Sequence, residues 1–118
     1  MSKIGILILA DSETYGDLGR ITNAFEIARE FSEAGDTVSI IFDGAATKWL
    51  GKVSDEQHYL NPLYKAVFPH IQGACKYCAN AYGVSNQVQE AGVTMLDDYE
   101  DHPSIRNLVQ AGYQIMTF

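Results

Sequence analysis

"IGILILA", residues 4–10, is an almost unbroken apolar run close to the start of the chain. The run is short for a helix, and its isoleucine and leucine content is typical of a strand that is buried on both faces. A polar loop, "DSETYG", follows at residues 11–16. The opening stretch therefore predicts the first strand of a parallel sheet.

An amphipathic helix is predicted directly after this loop. From Asp17 onward, apolar residues recur at steps of three and four, from Leu18 to Phe31. Gly35 can take the left-handed conformation that ends a helix, and the apolar run Thr37–Phe42 then reads as a second buried strand. Strand, helix and strand in this order predict a right-handed βαβ unit with parallel strands.

The rest of the chain continues in short alternating segments. Residues 56–71 have a helical pattern that Pro62 and Pro69 break, and a third strand at Ile71–Ala74 leads into the cysteines. Residues 84–92 indicate a helix and Val93–Leu96 a strand. Asp101 is the expected N-cap of a last helix that ends at Gly112, and residues 113–118 form a final strand.

Neither a linker nor a repeat interrupts the chain, so residues 1–118 are predicted to form a single domain. The alternation of strands and helices predicts an α/β fold. We expect a three-layer sandwich in which a mostly parallel sheet of about five strands is flanked by helices on both faces.

Composition narrows the classes of function. Fifteen acidic residues against eight basic ones give a net charge of −7, which disfavours nucleic acid and anionic membranes as partners. The N-terminal apolar run is too short for a signal peptide or a membrane span. We therefore expect a cytoplasmic protein whose two cysteines are thiols.

Two loops are candidates for a binding site. Ligands of open parallel sheets collect at the carboxyl ends of the strands, and the loops at residues 11–17 and 75–78 follow two of the predicted strands. In the first loop we select Asp11 and Ser12 as candidate binding residues. Its hydroxyls and glycine are similar to a flavin phosphate loop, but three carboxylates oppose phosphate binding, so no cofactor is expected. Thr14 or Asp17 is the expected cap of the following helix.

Cys75 is the candidate nucleophile because it lies where a strand ends and a helix begins. The positive end of a helix dipole and the neighbouring Lys76 would both favour its thiolate. The alternative is a buried and inert cysteine, a common environment for this residue type.

Cys78 follows one helical turn later, so that the two thiols can face each other. This spacing suits a dithiol redox pair, although no proline separates the cysteines and no tryptophan precedes them. It also supplies half of a zinc site, but none of the three histidines (His58, His70 and His102) stands at a zinc-finger spacing. No metal is therefore expected, and His102 is assigned to the entry of the last helix.

Several stretches together resemble the DsrE/DsrF-like family of small sulfur-relay proteins. They are "ITNAFEIAREFSEAGDTVSIIFDGAA" at 21–46, "ACKYCANAYG" at 74–83, "EAGV" at 90–93 and "AGYQIMTF" at 111–118. Members often show C-x-x-C-x-x-A-x-G, whose first cysteine carries sulfur as a persulfide; that position is Cys75 here. Tyr82 occupies a position that is often arginine in relatives, and it is a further candidate binding residue.

The resemblance implies a homotrimer or homohexamer, and sulfur donor and acceptor proteins as partners. The sequence leaves three hypotheses open. The first is a sulfur relay on Cys75, supported by Cys78, and the second is a non-catalytic oligomeric protein that binds a small ligand and keeps structural cysteines. The third is a C-x-x-C thiol–disulfide redox protein.

Overall fold

A computed structural model describes all 118 residues of the chain and contains one five-stranded sheet. The strands are β1 (Lys3–Ile8), β2 (Thr37–Phe42), β3 (Ile71–Cys75), β4 (Met95–Leu96) and β5 (Gln114–Thr117). They lie in the order β4-β3-β2-β1-β5, and every neighbouring pair is parallel. The predicted α/β sandwich is confirmed, and its sheet is entirely parallel.

Six α-helices connect the strands. They are α1 (Tyr15–Glu33), α2 (Leu50–Val53), α3 (Asn61–Val67), α4 (Lys76–Ala81), α5 (Ser85–Glu90) and α6 (Ile105–Gln110). Two 3-10 segments, Gly44–Trp49 and Phe68–His70, precede α2 and β3. None of the helices is both long enough and apolar enough to span a membrane.

Helix α1 begins at a capping box, which agrees with the predicted cap. The Thr14 hydroxyl accepts a hydrogen bond from the Asp17 N–H at 3.1 Å, and the Asp17 carboxylate accepts one from the Thr14 N–H at 3.1 Å. At the other end, Gly35 has φ +86°, the left-handed conformation expected of it. Both ends of the longest helix are thus specified by local sequence.

The core has one part on each face of the sheet. The larger cluster packs inward side chains of β1 and β2 against α1 and α3, with Phe25 and Phe42 in an edge-to-face contact at 6.2 Å. The smaller cluster, Ile41, Leu96 and Leu108, lies between the sheet and α6. Each buried side chain of this size contributes about 1.5–3 kcal/mol, so the sheet is anchored mainly on its α1 face.

The segment before α6 differs from the prediction. Ser104 is the N-cap, because its hydroxyl accepts the Asn107 N–H at 3.1 Å, so the assignment of Asp101 to this role is wrong. Asp101 and Glu100 instead have positive φ values of 62° and 50° and form a turn. Backbone hydrogen bonds of 2.8 and 2.7 Å between Tyr99 and His102 close this turn. Strand β4 is also shorter than predicted.

Candidate functional site

The carboxyl edge of the sheet brings together both loops that the sequence selected. Because β1 and β3 are parallel to β2, the residues that follow them leave the sheet on the same side. Cys75 is the last residue of β3, and Asp43 follows the end of the neighbouring strand β2. The two cysteines therefore lie beside the segment that begins at Asp43.

The Cys75 side chain is fully buried, and its sulfur makes three polar contacts, the longest of them with the Asp101 carbonyl at 3.9 Å. As the N-cap of α4, its Sγ accepts a hydrogen bond from the Cys78 N–H at 3.3 Å. Its Sγ also lies 3.1 Å from Nδ1 of His102. A thiol at this distance can donate its proton to a neutral imidazole, so the pair resembles a nucleophile and its base.

The surroundings of Cys75 favour its neutral thiol and not the thiolate that the sequence predicted. Burial, followed by the side-chain contact with the Cys78 thiol, raises the pKa of the Cys75 thiol to about 12, although the Cys78 N–H acts in the opposite direction. Helix α4 is only six residues long, and the Lys76 ammonium lies 3.9 Å from the Asp97 carboxylate. The predicted contribution of the helix start is present, since the Cys78 N–H lowers the pKa of Cys75, but burial outweighs it, and Lys76 is not among the groups that shift this pKa.

Cys78 is half-buried and points to a carboxylate. Its Sγ donates to Oδ1 of Asp43 at 3.3 Å, and the same oxygen accepts the Gly44 N–H at 2.8 Å. Burial raises the pKa of Cys78, and the Asp43 carboxylate raises it further, while the hydrogen bond with Cys75 lowers it. Both thiols are thus held in their neutral form.

His102 reaches the thiols from the turn between β4 and α6. The Tyr77 N–H donates to the Asp101 carbonyl at 2.9 Å, which ties this turn to the start of α4. The rings of Tyr77 and His102 pack with their centroids 4.8 Å apart. The sequence interpretation of His102 as part of the helix entry missed this role.

Two of the other predicted binding residues, Asp11 and Tyr82, lie beside a lysine that the sequence did not select. Nζ of Lys48 lies 2.6 Å from Asp11 and 3.1 Å from Glu13, and 5.6 Å from the centre of the Tyr82 ring. The ammonium holds the pKa of Asp11 below its ordinary value, and the carboxylate of Asp11 raises that of Lys48. Asp11 and Tyr82 therefore face Lys48, while Lys76 pairs with Asp97.

A cleft of about 500 Å³ opens beside Ser12 and extends along Trp49, Lys52 and His58. The Ser12 hydroxyl is buried and makes no hydrogen bond within the protein. The indole of Trp49 donates to the Asp11 carbonyl at 2.9 Å, which fixes one wall of the cleft.

Four side chains converge at the thiols, namely Asp43, Cys75, Cys78 and His102, and their potential ligand atoms all lie within 4.8 Å of one another. The cysteines were predicted from sequence, but Asp43 and His102 were not. A usable signal existed for Asp43, since it directly follows a buried strand that neighbours β3. We refer to these four residues as the thiol cluster.

A scan against protein-family models finds no match. Over 89 residues, covering 75% of this chain and 72% of the relative, the sequence is 28% identical to an uncharacterized protein, MJ0733, of Methanocaldococcus jannaschii.

Two solved structures share the fold. The conserved protein of unknown function BT1422 from Bacteroides thetaiotaomicron superposes with a TM-score of 0.65 at 16% identity, over 97% of this chain and 94% of that one. The ychN protein from E. coli superposes with a TM-score of 0.60 at 19% identity, over the full length of both chains. These likenesses define a common α/β architecture.

Proposed function

We propose that this chain is a sulfur-relay protein of the DsrE/DsrF-like type, in which Cys75 accepts sulfane sulfur as a persulfide and passes it to a partner protein. One observation carries the proposal: the Cys75 sulfur lies 3.1 Å from an imidazole nitrogen of His102 and beside a second thiol. The pairing supplies a nucleophile, a base and a neighbouring thiol at the edge of the sheet where ligands bind.

The transfer step follows the chemistry of thiol exchange. His102 takes the proton of the Cys75 thiol, and the resulting thiolate attacks the outer sulfur of a donor persulfide. The sulfur–sulfur bond of the donor breaks as the new bond on Cys75 forms. The donor thiolate leaves and recovers the proton, so no external oxidant or reductant is needed.

Cys78 provides a way to empty the carrier. Its thiol can attack the inner sulfur of the Cys75 persulfide, which forms a disulfide between the two cysteines and releases hydrogen sulfide. The carboxylate of Asp43, 3.3 Å from the Cys78 sulfur, is placed to receive the proton. Transfer to an acceptor protein competes with this reaction.

The donor reaches Cys75 only if the covering side chains move, because this cysteine has no exposed surface in the isolated chain. Tyr77, which packs on the His102 ring, is 56% exposed and is the side chain that a docking protein meets first. We expect the donor to displace Tyr77 and the turn that carries His102.

Self-association into a homotrimer or homohexamer is part of the proposal. Five exposed tyrosines lie in segments that follow the carboxyl ends of strands: Tyr15, Tyr59, Tyr77, Tyr82 and Tyr99. Tyrosine is favoured at protein interfaces, and here it serves contacts between subunits or with sulfur donor and acceptor proteins. The free thiols suit the reducing cytoplasm, where we place the protein.

The test is to load the reduced protein with a persulfide donor and to analyse the peptide that contains both cysteines by mass spectrometry. We expect one added sulfur in the wild type and in Cys78→Ser, and none in Cys75→Ser. Addition to Cys75→Ser at the wild-type level would move the carrier to Cys78. Absence of added sulfur in every variant would refute the relay and favour structural cysteines.

A second candidate, a thiol–disulfide redox protein, is favoured by the proximity of the two sulfurs. It predicts that a mild oxidant forms an intramolecular disulfide and that the oxidised chain is reduced again by a dithiol. Because the relay can also form this disulfide, a reversible disulfide in a chain that takes up no sulfur would support the redox protein alone.

A further inference from the structure

The thiol cluster has the composition of a metal site. Its ligand atoms are two sulfurs, one imidazole nitrogen and one carboxylate oxygen, and they all lie within 4.8 Å of one another. They come from four separate places in the chain: the end of β3, the first turn of α4, the residue after β2 and the turn after β4. The fold thus brings together four potential ligands whose spacing in the sequence matches no zinc motif.

The distances fit a tetrahedral ion. Zinc lies about 2.3 Å from a cysteine sulfur and about 2.0–2.1 Å from nitrogen or oxygen, which places ligand atoms about 3.3–3.8 Å apart. The contact of Cys75 with His102 is 3.1 Å and that of Cys78 with Asp43 is 3.3 Å. Adjustments of about 1 Å would therefore admit the metal.

The donor set selects the class of metal. Two thiolates favour zinc and similar thiophilic ions, whereas calcium and magnesium require oxygen ligands. Four protein ligands describe a closed tetrahedral site in which no position is left for water. The full burial of Cys75 and the partial burial of the other three agree with a closed site.

Contacts outside the ligands hold them in position. The Cys78 N–H donates to the Cys75 sulfur at 3.3 Å, and the Gly44 N–H donates to Asp43 Oδ1 at 2.8 Å. The Tyr77 ring packs against the imidazole. Such surrounding contacts orient ligands and strengthen metal binding.

We propose that the chain binds one zinc ion through Cys75, Cys78, His102 and Asp43. Both thiols release their protons to solvent as the ion enters. The occupied site leaves no free sulfur, so bound zinc and a persulfide on Cys75 exclude each other. This last consequence rests on the proposed function, whereas zinc binding itself does not.

The first experiment titrates the reduced full-length chain with Co²⁺ as a spectroscopic substitute, and then displaces it with Zn²⁺. We expect one ion per chain, the visible absorption of tetrahedral cobalt and a sulfur-to-cobalt charge-transfer band. Zinc should also raise the melting temperature, because it binds the folded chain. A titration without tetrahedral absorption would overturn the proposal.

Variants separate a four-ligand site from binding by the cysteines alone. Cys75→Ser and Cys78→Ser should lose the charge-transfer intensity of one thiolate each. His102→Asn and Asp43→Asn should each weaken cobalt binding by more than about tenfold, since even the loss of an outer contact costs that much. His70→Asn is the matched control, because His70 lies outside the cluster and contacts Ser32.

Circular dichroism confirms that each variant is folded before titration. Unchanged affinity in both His102→Asn and Asp43→Asn would overturn the four-ligand site, as would equal weakening in the control. A separate measurement then compares persulfide loading of zinc-saturated and chelator-treated protein. Loss of loading only when zinc is present supports mutual exclusion, and equal loading in both overturns it without affecting the metal titration.

Discussion

The segments after β1 and β3 leave the same edge of the sheet but hold their polar groups in different ways. After β1, Asp11 is partly exposed and Glu13 is exposed, and the two carboxylates share the ammonium of Lys48. After β3, Cys75 is buried and Cys78 half-buried, and their partners are an imidazole and a carboxylate.

The physical reason for this difference is the cost of removing charge from water. A carboxylate or an ammonium is expensive to bury without a partner, so the mostly covered Lys48 ammonium is matched by two carboxylates. A thiol is neutral at ordinary pH and is easily buried. The sheet edge therefore separates a region of paired charges from one in which a buried thiol, Cys75, lies beside three partly buried groups.

The largest effect on stability is expected at Gly73, where β3 packs most closely against the segment that contains β4. A Cβ added at Gly73 would clash with the Thr94 carbonyl and come within 2.6 Å of Leu96 Cγ, so β3 and β4 would have to separate. We expect Gly73→Ala to lower the free energy of unfolding by about 3 kcal/mol, measured by urea denaturation.

Gly19→Ala is its control within α1, because a Cβ there meets no atom within 4 Å. Alanine is the better helix former, so this variant should gain roughly 0.5–1 kcal/mol. Equal stability of Gly73→Ala and the wild type would show that the β3–β4 contact is loose.

Thiol labelling compares the reactivity of Cys75 and Cys78, the two cysteines at and just after the end of β3. In the metal-free reduced chain at neutral pH, Cys78 should react at least about tenfold faster than Cys75, since thiolate and access determine the rate. Cys75 is fully buried and its pKa is raised to about 12. Peptide mapping after timed alkylation measures the ratio, and faster labelling of Cys75 would contradict the buried geometry.

The same pKa predicts a dependence of stability on pH. The unfolded Cys75 thiol ionises near its ordinary value of about 8.5, whereas the folded thiol keeps its proton up to about 12. Above the lower value the folded state binds more protons, so the free energy of unfolding falls as pH rises. Cys75→Ala should flatten this decline; an identical slope in both proteins would be inconsistent with the raised pKa.

A smaller effect is expected at the start of α1, beside the charged region. Thr14→Ala removes the acceptor of the Asp17 N–H, and loss of such a cap costs about 1 kcal/mol. Thr14→Ser keeps a hydroxyl and should retain most of the stability in the same urea titration. If both variants lose stability equally, the methyl group of Thr14 matters more than its hydrogen bond.

The smallest effect on stability is expected at Lys48. Lys48→Met should leave the free energy of unfolding almost unchanged, because ion pairs near solvent contribute little to stability. The pKa of Asp11 should nevertheless rise toward its ordinary value, which an NMR titration of the carboxyl resonance can follow. Lys65→Met, which removes a pair with Glu56, should leave Asp11 unchanged.

The framework of the fold could be predicted because its signals are local. The apolar run of β2 matches its predicted bounds, Thr37–Phe42, and the cap of α1 lies within four residues of sequence. The position of Cys75 at a strand–helix junction follows from the same patterns.

The thiol cluster could be predicted only in part, because its contacts are distant in sequence. His102 is 27 residues from Cys75, and Asp43 is 35 residues from Cys78. The neighbouring Pro103 favoured the interpretation of His102 as a residue at the start of the last helix. The position of the imidazole is instead set by the turn at Glu100 and Asp101, which both have positive φ. No local periodicity encodes that turn.

The members of the thiol cluster lie far apart in sequence, and their order along the chain sets an order of events during synthesis. The ribosome makes Asp43 and both cysteines well before His102, and β5 is added last beside β1. A nascent chain thus carries its two sulfurs before it has the imidazole that faces them. The pair of Cys75 and His102 can form only after the segment that carries His102 has been made and has folded against β3.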